Sequence, residues 1–437
     1  MKKSMKVIYI GLFVILLTGC NENNDKSIST IDSNTDENIV LLESKLERDL
    51  NPKVSENELK TLADNNNKFA FEIFEKLSQS EESNIFFSPY SISEVLALVY
   101  AGAKGETKTE MASVLHFDID NEEQLHRSFN GLDLHLNYSD EEYTFSIANS
   151  LWPQSGYPIM DSYLDTLKVN YGAKIRSLDY KNRAKGSRET INNWIEDKTN
   201  GRIKDIIPQG SLNNSTRLVL TNAVYFKGQW RAEFSKSATQ NDTFILLDGS
   251  TKQIPFMHQP EWYFDYMKSD NYQAINLPYR PFDEDKTSML IIVPKNGKFE
   301  NVLNNITSIY QETNDNISST NINLKMPRFE FTTEVYQLNK YLIALGMSHA
   351  FLDIADFSNI SNGEKIKIDS VSHKAFIKVD EKGTEAAAAT VATAVAESLQ
   401  IKPEPIDFYI DRPFIFFIKD NLTNQILFMG VIKDPNS

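Results

Sequence analysis

From residue 56 the chain places its apolar positions at a helical period. In NELKTLADNNNKFAFEIFEKLSQS, Leu59, Leu62, Phe69, Phe71, Ile73, Phe74 and Leu77 recur at near-helical spacing and predict an amphipathic helix. SPYSISEVLALVYAGAKGETKTEMASVL predicts a further helical stretch, opened by a serine cap with proline in the first turn. INNWIEDKTNGRI predicts another, stopped by Gly201. Further along, the pattern changes to strands. RLVLTNAVYFKGQW, SMLIIVPKN, INLKMPRFEF and FIFFIKDNLTNQILFMGVI are rich in β-branched and aromatic residues, and the last predicts a hairpin turning at Asn421–Asn424. Helices first and strands after, without βαβ alternation, predict an α+β domain with large mixed sheets. No Gly/Ser-rich linker and no repeat interrupts residues 56–437, so they are read as one domain.

The start of the chain follows a different logic. MKKSMKVIYIGLFVILLTGC has a positive n-region (Lys2, Lys3, Lys6) and an apolar run from Val7 to Leu17, too short for a comfortable membrane span. Residues 1–19 are therefore read as a signal peptide. Leu17-Thr18-Gly19-Cys20 resembles the lipobox of bacterial lipoproteins, and Cys20 is the only cysteine, which excludes an intramolecular disulfide. The resemblance implies lipidation of Cys20 and attachment to a bacterial membrane from outside the cytoplasm. Residues 20–55 are rich in Asn, Asp, Glu and Ser and lack aromatics, so they are read as a disordered acidic tether. Loss of the three leader lysines takes the net charge from −15 to −18, which argues against a nucleic-acid partner.

A search for catalytic chemistry returns nothing. HExxH, GxSxG, Walker A and GxGxxG motifs are all missing. The six histidines (His116, His126, His135, His258, His349, His373) show no metal-ligand spacing, so no metal and no cofactor is expected. Trp152, Trp194, Trp230 and Trp262 are read as core. One segment stands apart: DEKGTEAAAATVATAVAES, residues 380–398, carries nothing larger than valine between Ala386 and Ala396. Alanine favours a helix, yet the run has no wide apolar stripe with which to dock one.

Several stretches together resemble the serpin family. They are Asn84–Ser93 (NIFFSPYSIS), Gly102–Thr107 (GAKGET), Leu220–Trp230 (LTNAVYFKGQW), Lys325–Phe329 (KMPRF), His373–Ala375, Arg412–Phe414 and Leu427–Gly430. They run in the family's order across about 380 residues. The resemblance implies three β-sheets, eight or nine helices and an exposed reactive-centre loop, here about residues 381–405. It also implies a suicide-substrate inhibitor, and not an enzyme: a protease cuts the loop and is trapped as the loop inserts into the central sheet. Ser88, Asn222 and His373 match the polar cluster that governs sheet opening. Trp230 matches the residue where insertion begins, and Glu381 and Arg328 match a charge pair at the same gate. The family's spacing counted from Glu381 places the reactive bond at Glu397–Ser398, with cuts after Ala396 or Leu399 as alternatives. The implied targets are extracellular serine proteases of Glu-specific, elastase-like or subtilisin-like type, with papain-like cysteine proteases as a second class. The protein is expected to act as a monomer. The competing reading is a non-inhibitory serpin-fold binding protein cut as a plain substrate.

The small-residue run supports insertion on its own terms. In a strand, alternate residues face opposite sides. One set, Thr384, Ala386, Ala388, Thr390, Ala392 and Ala394, is uncharged and small. The other, Glu385, Ala387, Ala389, Val391, Thr393 and Val395, carries the only charge. A face that slides into a packed sheet must be small, because overpacking costs ~1–3 kcal/mol per site. Glu381, Gly383, Thr384, Glu385, Ala386, Ala387, Ala388, Ala389 and Thr390 are therefore expected to form a hinge, with Gly383 as its turning point.

Overall fold

The computed structural model describes residues 29–30, 39–118, 121–136, 143–280, 286–384 and 404–436. The signal peptide, Cys20, hinge residues Glu385, Ala386, Ala387, Ala388, Ala389 and Thr390, and the reactive-bond candidates Ala396, Glu397, Ser398 and Leu399 lie outside them. Among the described residues the chain folds as three sheets and nine α-helices.

The helix predicted from residue 57 spans Glu56–Ser80 and opens with a capping box, Ser55 and Glu58 each bonding the other's backbone N–H. The next predicted stretch is two helices, Pro89–Tyr100 and Gly105–Leu115. The break is tertiary in origin. The Lys104 N–H bonds the Asp356 carbonyl and the Asn359 N–H bonds the Gly102 carbonyl. A Cβ on Gly102 would lie 2.1 Å from Ile360 Cγ1, so residues 356–360 press into this corner. The third predicted helix begins earlier than its apolar spacing suggested: a first turn at Tyr180, capped by Asp179, breaks at non-helical Arg183, and the helix then runs to Lys198.

The nine-stranded sheet is built around the predicted hairpin, Phe414–Asp420 and Ile426–Ile432, buried along its whole length. Its turn is fixed by Asp420, whose carboxylate accepts from the Thr423 N–H (2.8 Å) and hydroxyl (2.6 Å). Phe86 stacks on Phe428 (5.1 Å between centroids) and Phe416 (5.7 Å), within the main core. The six-stranded sheet holds Phe329–Thr332, Ser370–Asp380, Gly383–Thr384, Leu218–Gln229 and Tyr143–Pro153 in that order, with Tyr336–Gln337 paired beside Ser370–Asp380. INLKMPRFEF is two strands in two different sheets. Ser318–Pro327 belongs to the nine-stranded sheet, Phe329–Thr332 to the six-stranded one, and Arg328 is the crossing residue.

Three expectations are corrected. The folded part begins before residue 56: Val40–Leu42 pairs antiparallel with Ile175–Ser177, and Ile39 (7% exposed) packs with Trp152, Tyr180 and Ile195. Arg48 holds Asp133 at 2.5 Å and Asn130 at 2.8 Å. Residues 39–55 are thus part of the domain, because a few apolar and charged side chains in a polar segment find a prebuilt surface. Trp262 is 41% exposed rather than core. The loop expected to be exposed from 381 starts buried, with Glu381 and Thr384 each 3% exposed.

Candidate functional site: the sheet gate and the cluster beneath it

The strand Ser370–Asp380 ends in a tight reversal. The Asp380 carboxylate accepts from the Lys382 N–H at 3.0 Å, and the chain returns as the two-residue strand Gly383–Thr384. That strand is antiparallel to both neighbours, with Val379 opposite Thr384 on one side and Gly228 opposite Thr384 on the other. Glycine is required at 383 by space. A Cβ there would lie 2.0 Å from the Gly228 carbonyl oxygen and 2.7 Å from Gln229 Cα, both backbone atoms that cannot step aside. Thr384 is 3% exposed, and its hydroxyl lies 2.7 Å from that of Tyr279. Burial pushes the Tyr279 phenol well up, so it stays neutral and able to donate. Tyr279 in turn stacks flat on Trp230, centroids 4.6 Å apart. The Trp230 backbone N–H bonds the Lys382 carbonyl (2.7 Å) and its indole N–H the Asp380 carbonyl (3.0 Å).

Glu381 is buried beside this strand. Its Oε1 lies 3.6 Å from Arg328 Nη1 and accepts from the Thr239 hydroxyl at 2.7 Å. The ion pair is half-exposed on the arginine side and contributes little by itself. The hydroxyl bond and the Phe234 N–H on the Glu381 carbonyl (2.8 Å) hold the reversal more firmly.

Lower in the same sheet, Ser370–Ala375 runs parallel to Val219–Val224. Above Ala375–Val224 the hinge strand, not the direct neighbour, makes the bridges. His373 and Asn222 face each other in that parallel ladder. The Ser88 N–H donates to His373 Nε2 (3.3 Å), so Nδ1 carries the proton and donates to Asn222 Oδ1 (2.5 Å). The Ser88 hydroxyl caps the helix Pro89–Tyr100 and donates to the Leu427 carbonyl (2.7 Å). The Asn222 amide donates to Ser91 and to Asn149, whose own amide donates to Glu94 (2.7 Å). Burial drives the His373 pKa down to about 3, keeping it neutral. Burial, and then Asp133, push the Glu94 carboxyl well above the usual carboxylate range.

Ser88, Asn222 and His373 are thus one hydrogen-bonded cluster, and Trp230, Arg328, Glu381, Gly383 and Thr384 one gate. Sequence reasoning missed Tyr279 and Thr239 at the gate and Ser91, Asn149 and Glu94 in the cluster. A polar pair, Asn149 and Ser150, inside the apolar strand Tyr143–Pro153 was the available signal. Tyr279 had none. Among the described residues no His, Cys, Asp and Glu group could hold a metal ion, and no helix is long and apolar enough to cross a membrane.

The family model for Serpin (serine protease inhibitor) matches residues 64–435. An uncharacterised serpin-like protein of Thermococcus kodakarensis is 42% identical over 372 residues, 84% of each chain. Leukocyte elastase inhibitor of Sus scrofa is 35% identical over 382 residues, 85% of this chain and 98% of that one. Among solved structures, the thermophilic serpin tengpin in its native state superposes with a TM-score of 0.77 at 28% identity, covering 90% of this chain and 97% of that one. Human thyroxine-binding globulin in complex with its hormone gives 0.77 at 27%, covering 87% and 100%. With the family model spanning residues 64–435 and a relative 42% identical over 84% of each chain, the chain belongs to the serpins.

Proposed function

We propose that this protein is a suicide-substrate inhibitor of extracellular serine proteases, with papain-like cysteine proteases as a second target class. The observation that carries the reading is the seated hinge: Gly383–Thr384 already forms the first two residues of a strand antiparallel to both neighbours. Continuing in the same direction would replace the parallel ladder of Ser370–Ala375 on Val219–Val224 by two antiparallel ones. Antiparallel pairing is slightly stronger per residue. On the order of 14 new backbone bonds at ~0.5–1.5 kcal/mol each rivals the stability of a domain. A strand of that length spans ~46 Å, enough to drag an acylated protease across the molecule. Thr384 turns its side chain inward, the side assigned to the small alternate set.

The reactive bond is proposed at Glu397–Ser398, with Ala396 and Leu399 as the alternative cuts, so the target is Glu-specific, elastase-like or subtilisin-like. The protein works as a monomer held outside a bacterial membrane by lipid on Cys20. A binding protein cut as a plain substrate is the competing reading, and the likeness to thyroxine-binding globulin favours it. The two separate on incubation of the soluble domain with a Glu-specific protease, an elastase, a subtilisin and a papain-like enzyme. An SDS-stable adduct supports inhibition, and mass spectrometry of the released C-terminal peptide locates the cut. Loop cleavage with no adduct and no loss of protease activity would overturn the inhibitory reading.

A further inference from the structure

A cleft of about 370 Å³ opens where the end of the helix Tyr180–Lys198 meets the outer strand Tyr143–Pro153 of the six-stranded sheet. Four cations line it: Arg48, Lys174, Arg176 and Lys198. Among the described residues, Glu94 and Asp133 are its only lining carboxylates, and both are buried. Trp194, Leu98 and Ile147 supply apolar wall. The volume suits a small organic molecule and not a macromolecule.

The charges are not equivalent. The two carboxylates are committed inward: Asp133 to Arg48 at 2.5 Å, and Glu94 to the Asn149 amide at 2.7 Å. Burial raises the pKa of both. Of the other cations, Arg176 donates to the Ser150 hydroxyl (3.4 Å), and the two lysines are held by outer carboxylates. Lys174 lies 3.0 Å from Glu43, and Lys198 lies 3.6 Å from Asp197, a pair in which both side chains are largely exposed. Screened bridges of that kind contribute little and exchange readily for a better acceptor. Arg176 lies over the Trp194 ring, 4.6 Å from its centroid, so a cation and a flat apolar face sit side by side. Trp194 is itself fixed edge-on against buried Trp152, centroids 5.4 Å apart, which holds the aromatic wall in place.

We infer that this cleft is a binding site for a small organic anion with an apolar body, such as an aryl carboxylate or sulfonate. The acidic head meets Arg176 and Lys198, and the ring lies against Trp194 and Ile147. The site shares Asn149 and Glu94 with the buried cluster but contains none of the gate residues, and it does not depend on protease inhibition.

The test titrates naphthalene-1-sulfonate into the full chain by calorimetry, beside the cationic analogue 1-naphthylmethylammonium. The expected result is one sulfonate bound per chain, at least ~10-fold tighter than the cation and weakened by added salt. Arg176→Gln and Lys198→Gln should each weaken sulfonate binding ~10–100-fold, a loss of the size a charged hydrogen bond contributes. Arg328→Gln, at the gate, should leave it unchanged. Lys198 is half-exposed, so its variant tests the site even if Arg176→Gln folds poorly. Equal or tighter binding of the cation, no saturable binding of the sulfonate, or wild-type affinity in Lys198→Gln would overturn the inference.

Discussion

Gly383→Ala isolates the seated hinge from everything else in the gate. The new Cβ would sit 2.0 Å from a backbone oxygen and 2.9 Å from a backbone carbon of Gly228, contacts that no side-chain rotation relieves. The strand must therefore leave its slot. It would give up the Trp230 N–H bond to Lys382, the bridges of Gly383 and Thr384 to their neighbours and the Thr384–Tyr279 hydroxyl pair. On the order of four hydrogen bonds at ~0.5–1.5 kcal/mol each gives about 2–6 kcal/mol of local stabilisation lost. That corresponds to an increase of ~30-fold or more in local opening, read as faster amide exchange at Trp230, whose N–H bonds the Lys382 carbonyl. Exchange in the hairpin Phe414–Ile432, which belongs to the other large sheet, should not change. Expulsion should also raise the fraction of chains that are cut as substrate, seen as a weaker adduct band against a stronger cleaved band. Unchanged protection at Trp230 in a folded Gly383→Ala protein would refute the steric argument.

Other perturbations bear on separate parts of the mechanism. Thr384→Arg forces a charge into a buried site and should convert inhibitor to substrate, whereas Thr384→Val, which keeps the shape, should retain the adduct; equal adduct yields from both would refute the insertion argument. His373 has a folded pKa of about 3 against 6.5 unfolded, so the folded form excludes a proton that the unfolded chain binds between those values. Its contribution is complete above pH 6.5 and is lost as pH falls toward 3, amounting to ~2 kcal/mol by pH 5. Urea unfolding at pH 7 and pH 5 should show that loss in the wild type and a smaller one in His373→Gln, the difference cancelling the opposite-signed share of Glu94 and Asp133. Ile39→Ala should cost ~2–4 kcal/mol by the same assay if residues 39–55 belong to the domain, and nothing if they are a tether.

The amino-acid sequence carried the elements whose cause is local. The capping box at Ser55 and Glu58, the serine and proline opening Pro89–Tyr100, and the Asp420–Gln425 turn all depend on residues within a few positions of one another. The family motifs likewise marked Ser88, Asn222, His373, Trp230, Arg328 and Glu381, because each sits inside a conspicuous local string. Parity alone placed Thr384 on the inward side of a strand. Tertiary structure decided what depends on partners far along the chain. Arg328 is a crossing point because Pro327 and Phe329 bond to different sheets. Gly383 is needed for a close approach to Gly228, 155 residues away in the chain, as well as for its φ of +156°. Tyr279 is a gate residue only because Trp230 stacks on it and Thr384 meets its hydroxyl. Residues 39–55 fold although their composition resembles a tether, since Ile39 and Arg48 need only a surface that the rest of the chain has already built. Local rules set where helices, turns and alternating faces can form; the energy that seats a two-residue strand in a slot comes from both sides of a sheet assembled over the whole chain.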